Sequence, residues 1–371
     1  MRILYDATPL LLRSAGVKNY HYLLLRHLLP LAAPHTIELF PFLRNPGRNR
    51  NEGSNYPPVA TALRLSVWLA DNYLRVPVGR WAGRRADLFH LTQHLLHPTA
   101  VGQRLRLTSF IHDLSCLLMP QYHTASNVRY FRHFARDVLP RLAGVLVPSH
   151  AVEQELIEHL GVAPERVNVV PHGVEQRFFQ PGPFEAALKA YGLPERYILF
   201  VGAAEPRKNV STLLEACRLL PADLRRDYPL VLAGASGWKN AALWEAVERD
   251  RPIGVRPIGY VAPELLPAVY KQAAVFVFPS LYEGFGLPLL EAMAAGTPVV
   301  TSNVSAMPEV VGEAGLTVDP RSPAELARAI EHLLSDRALA AQLAEAGRRR
   351  AREFTWGKTA LATKAFFDHL A

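Results

Sequence analysis

The stretch VFVFPSLYEGFGLPLLEAMAAGTPVVTS, residues 275–302, decides the fold. Val275 to Pro279 is an unbroken apolar run, as expected of a strand covered on both faces of a parallel sheet. The loop after it carries Gly284 and Gly286, which permit tight backbone geometry, and Pro288 is placed to open a helix, where its missing N–H costs nothing. Thr297 to Ser302 then returns as the next strand. Such a loop lies at the carboxyl ends of the strands, where ligands bind, and the amides of the helix start suit a phosphate. Two carboxylates stand there, Glu283 in the loop and Glu291 about one turn into the helix, on a spacing that can turn both to one ligand. For an isolated pair, a dipole partner in Glu291 and a solvated loop residue in Glu283 would be the simpler reading.

Outward from this segment, short runs of Ile, Val, Leu and Phe alternate with longer helical patterns, the mark of parallel sheets covered by helices. Strands are expected at Arg2 to Ala7, Ile37 to Phe42, Leu88 to Leu91, Leu107 to Ile111, Gly144 to Pro148 and Val167 to Pro171. A second set is expected at Tyr197 to Gly202, Leu230 to Gly234, Val255 to Ile258, Val275 to Pro279, Pro298 to Thr301 and Leu316 to Val318. Between the sets HGVEQRFFQPGP, residues 172–183, interrupts both periodicities and marks a hinge. Two Rossmann-like lobes follow, with expected domains at 1–174 and 175–354. Arg44 to Pro58 reads as a polar surface loop, and Val59 to Leu74, with Trp68 and Tyr73, as an amphipathic helix covering the first sheet.

The 371 residues suit two such lobes, and 49% hydrophobic with 20% charged residues excludes a disordered chain. With no apolar run of membrane-spanning length and no signal-peptide pattern, a cytoplasmic protein is expected. Cys116 and Cys217 sit among core-like residues and read as plain thiols. The formal charge of +8 lies wholly within residues 1–170, a bias that fits an anionic acceptor or a peripheral place at the inner face of a membrane as well as it fits solubility. His90, His94 and His97 form HxxxHxxH, but no acid or thiol completes a ligand set, so no metal is expected.

Further loops hold polar residues at strand ends. In YILFVGAAEPRKNVSTLLEA, residues 197–216, Arg207 and Lys208 follow a strand, with Asn209 a good N-cap for the next helix. Cations beside a helix N-terminus make better sense if an anion lies between them. In SFIHDLSCLLMPQYH, residues 109–123, a strand ends at His112 and Asp113. Gly16 and Val17 precede the helical run Lys18 to Leu29, and Tyr260 follows the strand ending near Gly259. No GxGxxG fingerprint is present, which disfavours a dinucleotide oxidoreductase.

The run EGFGLPLLEAMAAGTPVV, residues 283–300, resembles the hallmark of the retaining glycosyltransferases of family 4, a Glu, seven residues and a second Glu. Blocks from Gly16 to Glu291 share the likeness, and the EPRKN and IHDLS blocks are most similar to mannosyl- and rhamnosyltransferases of bacterial surface polysaccharides. The resemblance implies an α/β, GT-B fold of two facing Rossmann-like domains, with residues 355–371 a final helix packing back on the first. It implies that Glu283 contacts the transferred sugar, that Glu291 binds the ribose hydroxyls and that the backbone of Phe285, Gly286 and Leu287 holds the diphosphate. Lys208 resembles the family's phosphate-binding lysine, and His112 its sugar-positioning histidine. Gly16 and Val17 resemble its glycine loop near donor and acceptor, while Tyr260 would lie beside the base. Where the family often has an Arg after the strand glycine this chain has Ala203, leaving Arg207 to substitute.

The function implied is metal-independent, cofactor-free transfer of a hexose, mannose from GDP-mannose being the expected donor, to a glycan or lipid-linked acceptor. No nucleic acid partner is implied. Two other readings stay open on these residues, a nucleotide-sugar 2-epimerase on the same fold and a nucleotide-sugar-binding protein without catalysis.

Overall fold

A computed structural model describes residues 1–12, 16–47, 54–72, 85–92, 105–180, 182, 184–234 and 241–371. His94, His97 and Tyr73 lie outside the described residues, as does part of the loop expected at Arg44 to Pro58. The chain divides into two compact units, Met1–Gly173 with Trp356–Ala371, and Val174–Thr355.

The first unit is built on a six-stranded sheet of β1 (Arg2–Asp6), β2 (Thr36–Phe40), β3 (Leu88–Leu91), β4 (Arg106–Phe110), β5 (Leu142–Val147) and β6 (Val167–Val169). The strands are parallel in the order β2-β1-β3-β4-β5-β6. β3 is buried at all four positions and β4 at four of five, as expected of strands covered on both faces, with His90, Thr108 and Ser109 buried among the apolar residues. The last helix, Trp356–His369, belongs to this unit. Phe366 from it lies where a side chain on Gly144 of β5 would stand, 2.7 Å from a Cβ built there. His35 meets Asp368 at 2.7 Å, and the Thr359 hydroxyl donates to the Pro171 carbonyl at 2.8 Å, so polar contacts fix the helix at both ends.

The expected amphipathic segment forms the helix Pro58–Asn72, but its first turns stand out in solvent, with Val59 74% and Leu63 65% exposed. The described part of the preceding loop is tied down rather than loose, since Asn55 is buried and its N–H donates to the Leu10 carbonyl at 3.0 Å.

The second unit holds β7 (Ile198–Val201), β8 (Leu230–Ala233), β9 (Val255–Gly259), β10 (Val275–Phe278), β11 (Val299–Ser302) and β12 (Leu316–Val318), all parallel. Their order is β12-β11-β10-β7-β8-β9. The chain lays β7, β8 and β9 outward in one direction and then returns to place β10 against the other side of β7. That reversal makes the β7/β10 junction a topological switch point, where loops from neighbouring strands diverge and leave room for a ligand. At the next junction Gly202, after β7, and Gly234, after β8, approach so closely that a Cβ on Gly234 would lie 2.1 Å from the Gly202 carbonyl oxygen. With φ at +140°, only glycine serves at 234.

Candidate functional site

The loops after β7 and β10 are locked together at the switch point. The Leu281 N–H donates to the Arg207 carbonyl at 2.9 Å, and the Arg207 Nη1 donates to the Tyr282 carbonyl at 2.7 Å. Asn209 adds a third tie, its Nδ2 donating to the carbonyls of Pro279 at 3.0 Å and Pro320 at 2.7 Å. Asn209 keeps the N-cap position expected of it but has another task. It stands at the N-cap position of the helix Val210–Leu219 with φ at +58°, and its side chain bonds no helix amide, its Oδ1 accepting from the Thr212 hydroxyl at 2.7 Å. It serves as a clasp between loops instead.

The clasp brings Arg207, Lys208 and Glu283 into one cluster. Lys208 Nζ donates to Glu283 Oε1 at 2.6 Å, and Arg207 Nη1 lies 3.0 Å from Glu283 Oε2. The three side chains are only 13%, 13% and 10% exposed. Burial alone would raise the Glu283 carboxyl, but Arg207 and then Lys208 outweigh it and hold the group below the usual carboxylate range. Burial pulls the Lys208 ammonium below its ordinary value despite Glu283, and Arg207 adds to that pull. The Lys208 ammonium also stands 4.8 Å from the centre of the Phe278 ring.

Glu291 keeps different company. It sits in the second turn of the helix Leu287–Ala295, partly buried, and accepts from the Tyr270 hydroxyl at 2.9 Å. Burial pushes its carboxyl up to about 7, against the Tyr270 hydrogen bond and the charge of Arg177. The helix start is shaped by Gly286, left-handed with φ at +110°, while the Phe285 ring is buried edge-on against Phe354 at 5.9 Å. Leu287 is the first helical residue, with Pro288 beside it. Tyr260, 40% exposed, directly follows β9.

His112, Gly16 and Val17 belong to the other unit. There the switch point falls between β1 and β3, where the Thr92 hydroxyl donates to the Asp6 carboxylate at 3.0 Å and to its carbonyl at 2.7 Å. His112, just past β4, stands in an aromatic and histidine cluster. Its Nε2 is 3.4 Å from the Nε2 of His21, whose Nδ1 meets the Tyr5 hydroxyl at 2.6 Å. Tyr20 packs edge-on to His112 at 4.9 Å and tilted on His172 at 4.5 Å. Burial keeps His21 and His172 far below the ordinary imidazole value, with neighbouring histidines adding to the effect, and it lowers His90 to about 3. His21, His172 and His90 are therefore neutral at neutral pH. His90 donates to or accepts from Thr108 at 3.0 Å, a core contact. Among the described residues no group of three His, Cys, Asp or Glu is placed to hold a metal ion.

His21 and His172 escaped sequence reasoning. His172 follows β6 as His112 follows β4, so position after a strand is the signal that finds it. His21 sits inside a helix, and only the sheet order brings it to the strand ends. A Cβ on Gly16, at the start of that helix, meets nothing within 4 Å among the described residues.

Residues 185–350 match the family model of the group 1 glycosyl transferases, and residues 15–178 that of glycosyltransferase family 4. The chain is 32% identical over 369 residues to O-antigen chain mannosyltransferase B of Escherichia coli, covering 96% of each. It is 33% identical over 253 residues to a D-inositol 3-phosphate glycosyltransferase of Corynebacterium diphtheriae, across 65% of this chain and 59% of that one. Among solved structures, sucrose-phosphate synthase from Thermosynechococcus elongatus superposes with a TM-score of 0.75 at 22% identity, covering 100% of this chain and 99% of that one. WaaG, a glycosyltransferase involved in lipopolysaccharide biosynthesis, superposes with a TM-score of 0.71 at 16% identity over 99% of each. The shared architecture is the GT-B fold.

Proposed function

Since the chain belongs to the group 1, family 4 glycosyltransferases, we propose that it moves mannose from GDP-mannose to a glycan or lipid-linked acceptor, with retention and without a metal ion. The donor assignment is supported by likeness to a mannosyltransferase along nearly the whole chain. The mechanism is supported by one observation, the buried Arg207–Lys208–Glu283 cluster at the β7/β10 switch point. Two cations from a single loop can neutralise charge as it grows on a departing diphosphate, the task a metal ion performs in other transferases.

In this reading the bond from the anomeric carbon to the diphosphate oxygen breaks and the acceptor oxygen bonds that carbon from the same face. The acceptor's proton passes to the leaving phosphate oxygen. Lys208, Arg207 and the backbone of Phe285, Gly286 and Leu287 stabilise the diphosphate, while Glu283 accepts from the sugar hydroxyls. Glu291, held by Tyr270, accepts from the ribose hydroxyls, and Tyr260 lies toward the base. His112 is assigned to the transferred sugar, and Gly16 and Val17 to the donor and acceptor loop, by family resemblance. No described helix is long and apolar enough to cross a membrane. The basic first unit accordingly suits an acceptor whose own anchor is in the membrane.

The test is a thermal-shift panel of nucleotide sugars, followed by incubation of the best ligand, labelled in the sugar, with and without a mannose-terminated oligosaccharide. A ligand at 100 times its dissociation constant stabilises a protein by about 2.7 kcal/mol, which such a panel resolves. Transfer should require the acceptor. Stabilisation by uridine rather than guanosine nucleotides would overturn the donor, and conversion of donor alone to an isomer would overturn transfer.

A further inference from the structure

We propose that Glu283 is an internal competitor of the donor's diphosphate, and that this competition makes the site prefer an intact sugar donor over the bare nucleoside diphosphate left after transfer. The inference rests on the proposed reading of Arg207 and Lys208 as the diphosphate's cations. Both oxygens of Glu283 are committed to those cations, Oε1 to Lys208 at 2.6 Å and Oε2 to Arg207 at 3.0 Å, and Glu205 lies 3.6 Å from Arg207 on its other side. Both cations thus already face carboxylates, and a diphosphate that pairs with Lys208 competes with one of them. Glu283 is the one on Lys208.

The carboxylate can leave without unfastening the loop, because other atoms hold the backbone there. The Glu283 carbonyl accepts from the Ser305 hydroxyl at 2.6 Å and from the Ala306 N–H at 3.4 Å, and the Glu283 N–H donates to Ser305 at 3.3 Å. The neighbouring Tyr282 carbonyl is held by Arg207 and the Leu281 N–H by the Arg207 carbonyl. What the carboxylate meets after displacement depends on the ligand. A nucleotide sugar offers hydroxyl donors, so the carboxylate exchanges one set of hydrogen bonds for another. A nucleoside diphosphate has only its ribose hydroxyls, which this reading gives to Glu291, so a Glu283 carboxylate 10% exposed is left beside added negative charge. Loss of the sugar therefore returns Glu283 to Lys208 and expels the product.

Calorimetric titration of GDP and UDP in metal-free buffer tests this with the wild type, Lys208→Met, Glu283→Gln and the double variant. Whichever nucleotide the wild type binds, Glu283→Gln should bind about ten-fold more tightly, the equivalent of one charge-assisted hydrogen bond released for the ligand. Lys208→Met should cost more affinity in the Glu283→Gln background than in the wild type, since Lys208 is no longer shared. Glu283→Ala should tighten binding in the same direction, which separates loss of the charge from any hydrogen bond made by glutamine. Equal or weaker binding by Glu283→Gln and Glu283→Ala, with Lys208→Met still weakening, would overturn the competition alone. Binding indifferent to Lys208→Met in both backgrounds, or absent for both nucleotides in the wild type and in Glu283→Gln alike, would overturn the diphosphate reading beneath it.

Discussion

The Tyr270 hydroxyl donates to Oε2 of Glu291 at 2.9 Å, and the carboxyl that receives it is pushed by burial up to about 7. An unfolded glutamate titrates near 4.3, so between that value and about 7 the folded chain binds the additional proton. The stability this group contributes is complete below the unfolded value and is lost as pH rises through about 7. Glu291→Gln, neutral at every pH, should flatten that part of the profile of melting temperature against pH. Binding moves the other way. A ribose diol needs the carboxylate, so nucleotide affinity should rise from pH 6 to pH 8 in the wild type and change little in Glu291→Gln. An unchanged slope in the variant would place the titrating group elsewhere.

The chemical step bears on Lys208. If its ammonium stabilises the departing diphosphate, Lys208→Met should lower kcat by about 100-fold or more, in line with the loss of one preorganised donor to a developing charge. Donor affinity should fall far less, because Arg207 keeps its place through the Tyr282 carbonyl. Single-turnover rates at saturating donor separate the two effects. A fall confined to KM would make Lys208 a binding residue and nothing more.

Much of this was legible beforehand because buried parallel strands announce themselves. Every expected strand is present, from Arg2–Asp6 to Leu316–Val318, displaced by one or two residues at some ends. Glu283, Lys208 and Arg207 were also visible, but not their union, since their loops lie 75 residues apart and meet only because β10 returns to the side of β7. Nor does spacing reveal that Glu291 turns to Tyr270 from another helix. Asn209 was legible in place but not in task. It stands at the cap that residue preference gives it, in a left-handed turn from which its side chain reaches two loop carbonyls and bonds no helix amide.

That clasp is itself testable. Asn209→Ala removes donors to the Pro279 and Pro320 carbonyls from a residue 6% exposed. Leaving buried acceptors without a partner costs about 1 to 3 kcal/mol. Denaturant unfolding should show a loss of that size, and nucleotide affinity should fall too, because the clasp sets the loop that carries Lys208. A destabilised variant with unaltered affinity would show that the cluster assembles without it.

Two glycines separate packing from ligand contact. Gly234→Ala forces a Cβ to within 2.1 Å of the Gly202 carbonyl oxygen at φ of +140°, so backbone must move, and a loss of about 3 kcal/mol or failure to fold is expected. Gly16→Ala meets no described atom within 4 Å and lies at the start of the helix Gly16–Leu28, where alanine is the better helix former by up to about 1 kcal/mol. Its melting temperature should hold or rise. If Gly16 lies where donor or acceptor approaches the backbone, transfer should nevertheless fall by about ten-fold or more, as a misplacement near the reacting groups does. Full activity with unchanged melting would remove Gly16 from the site, while loss of both together would assign it to packing by atoms other than those described.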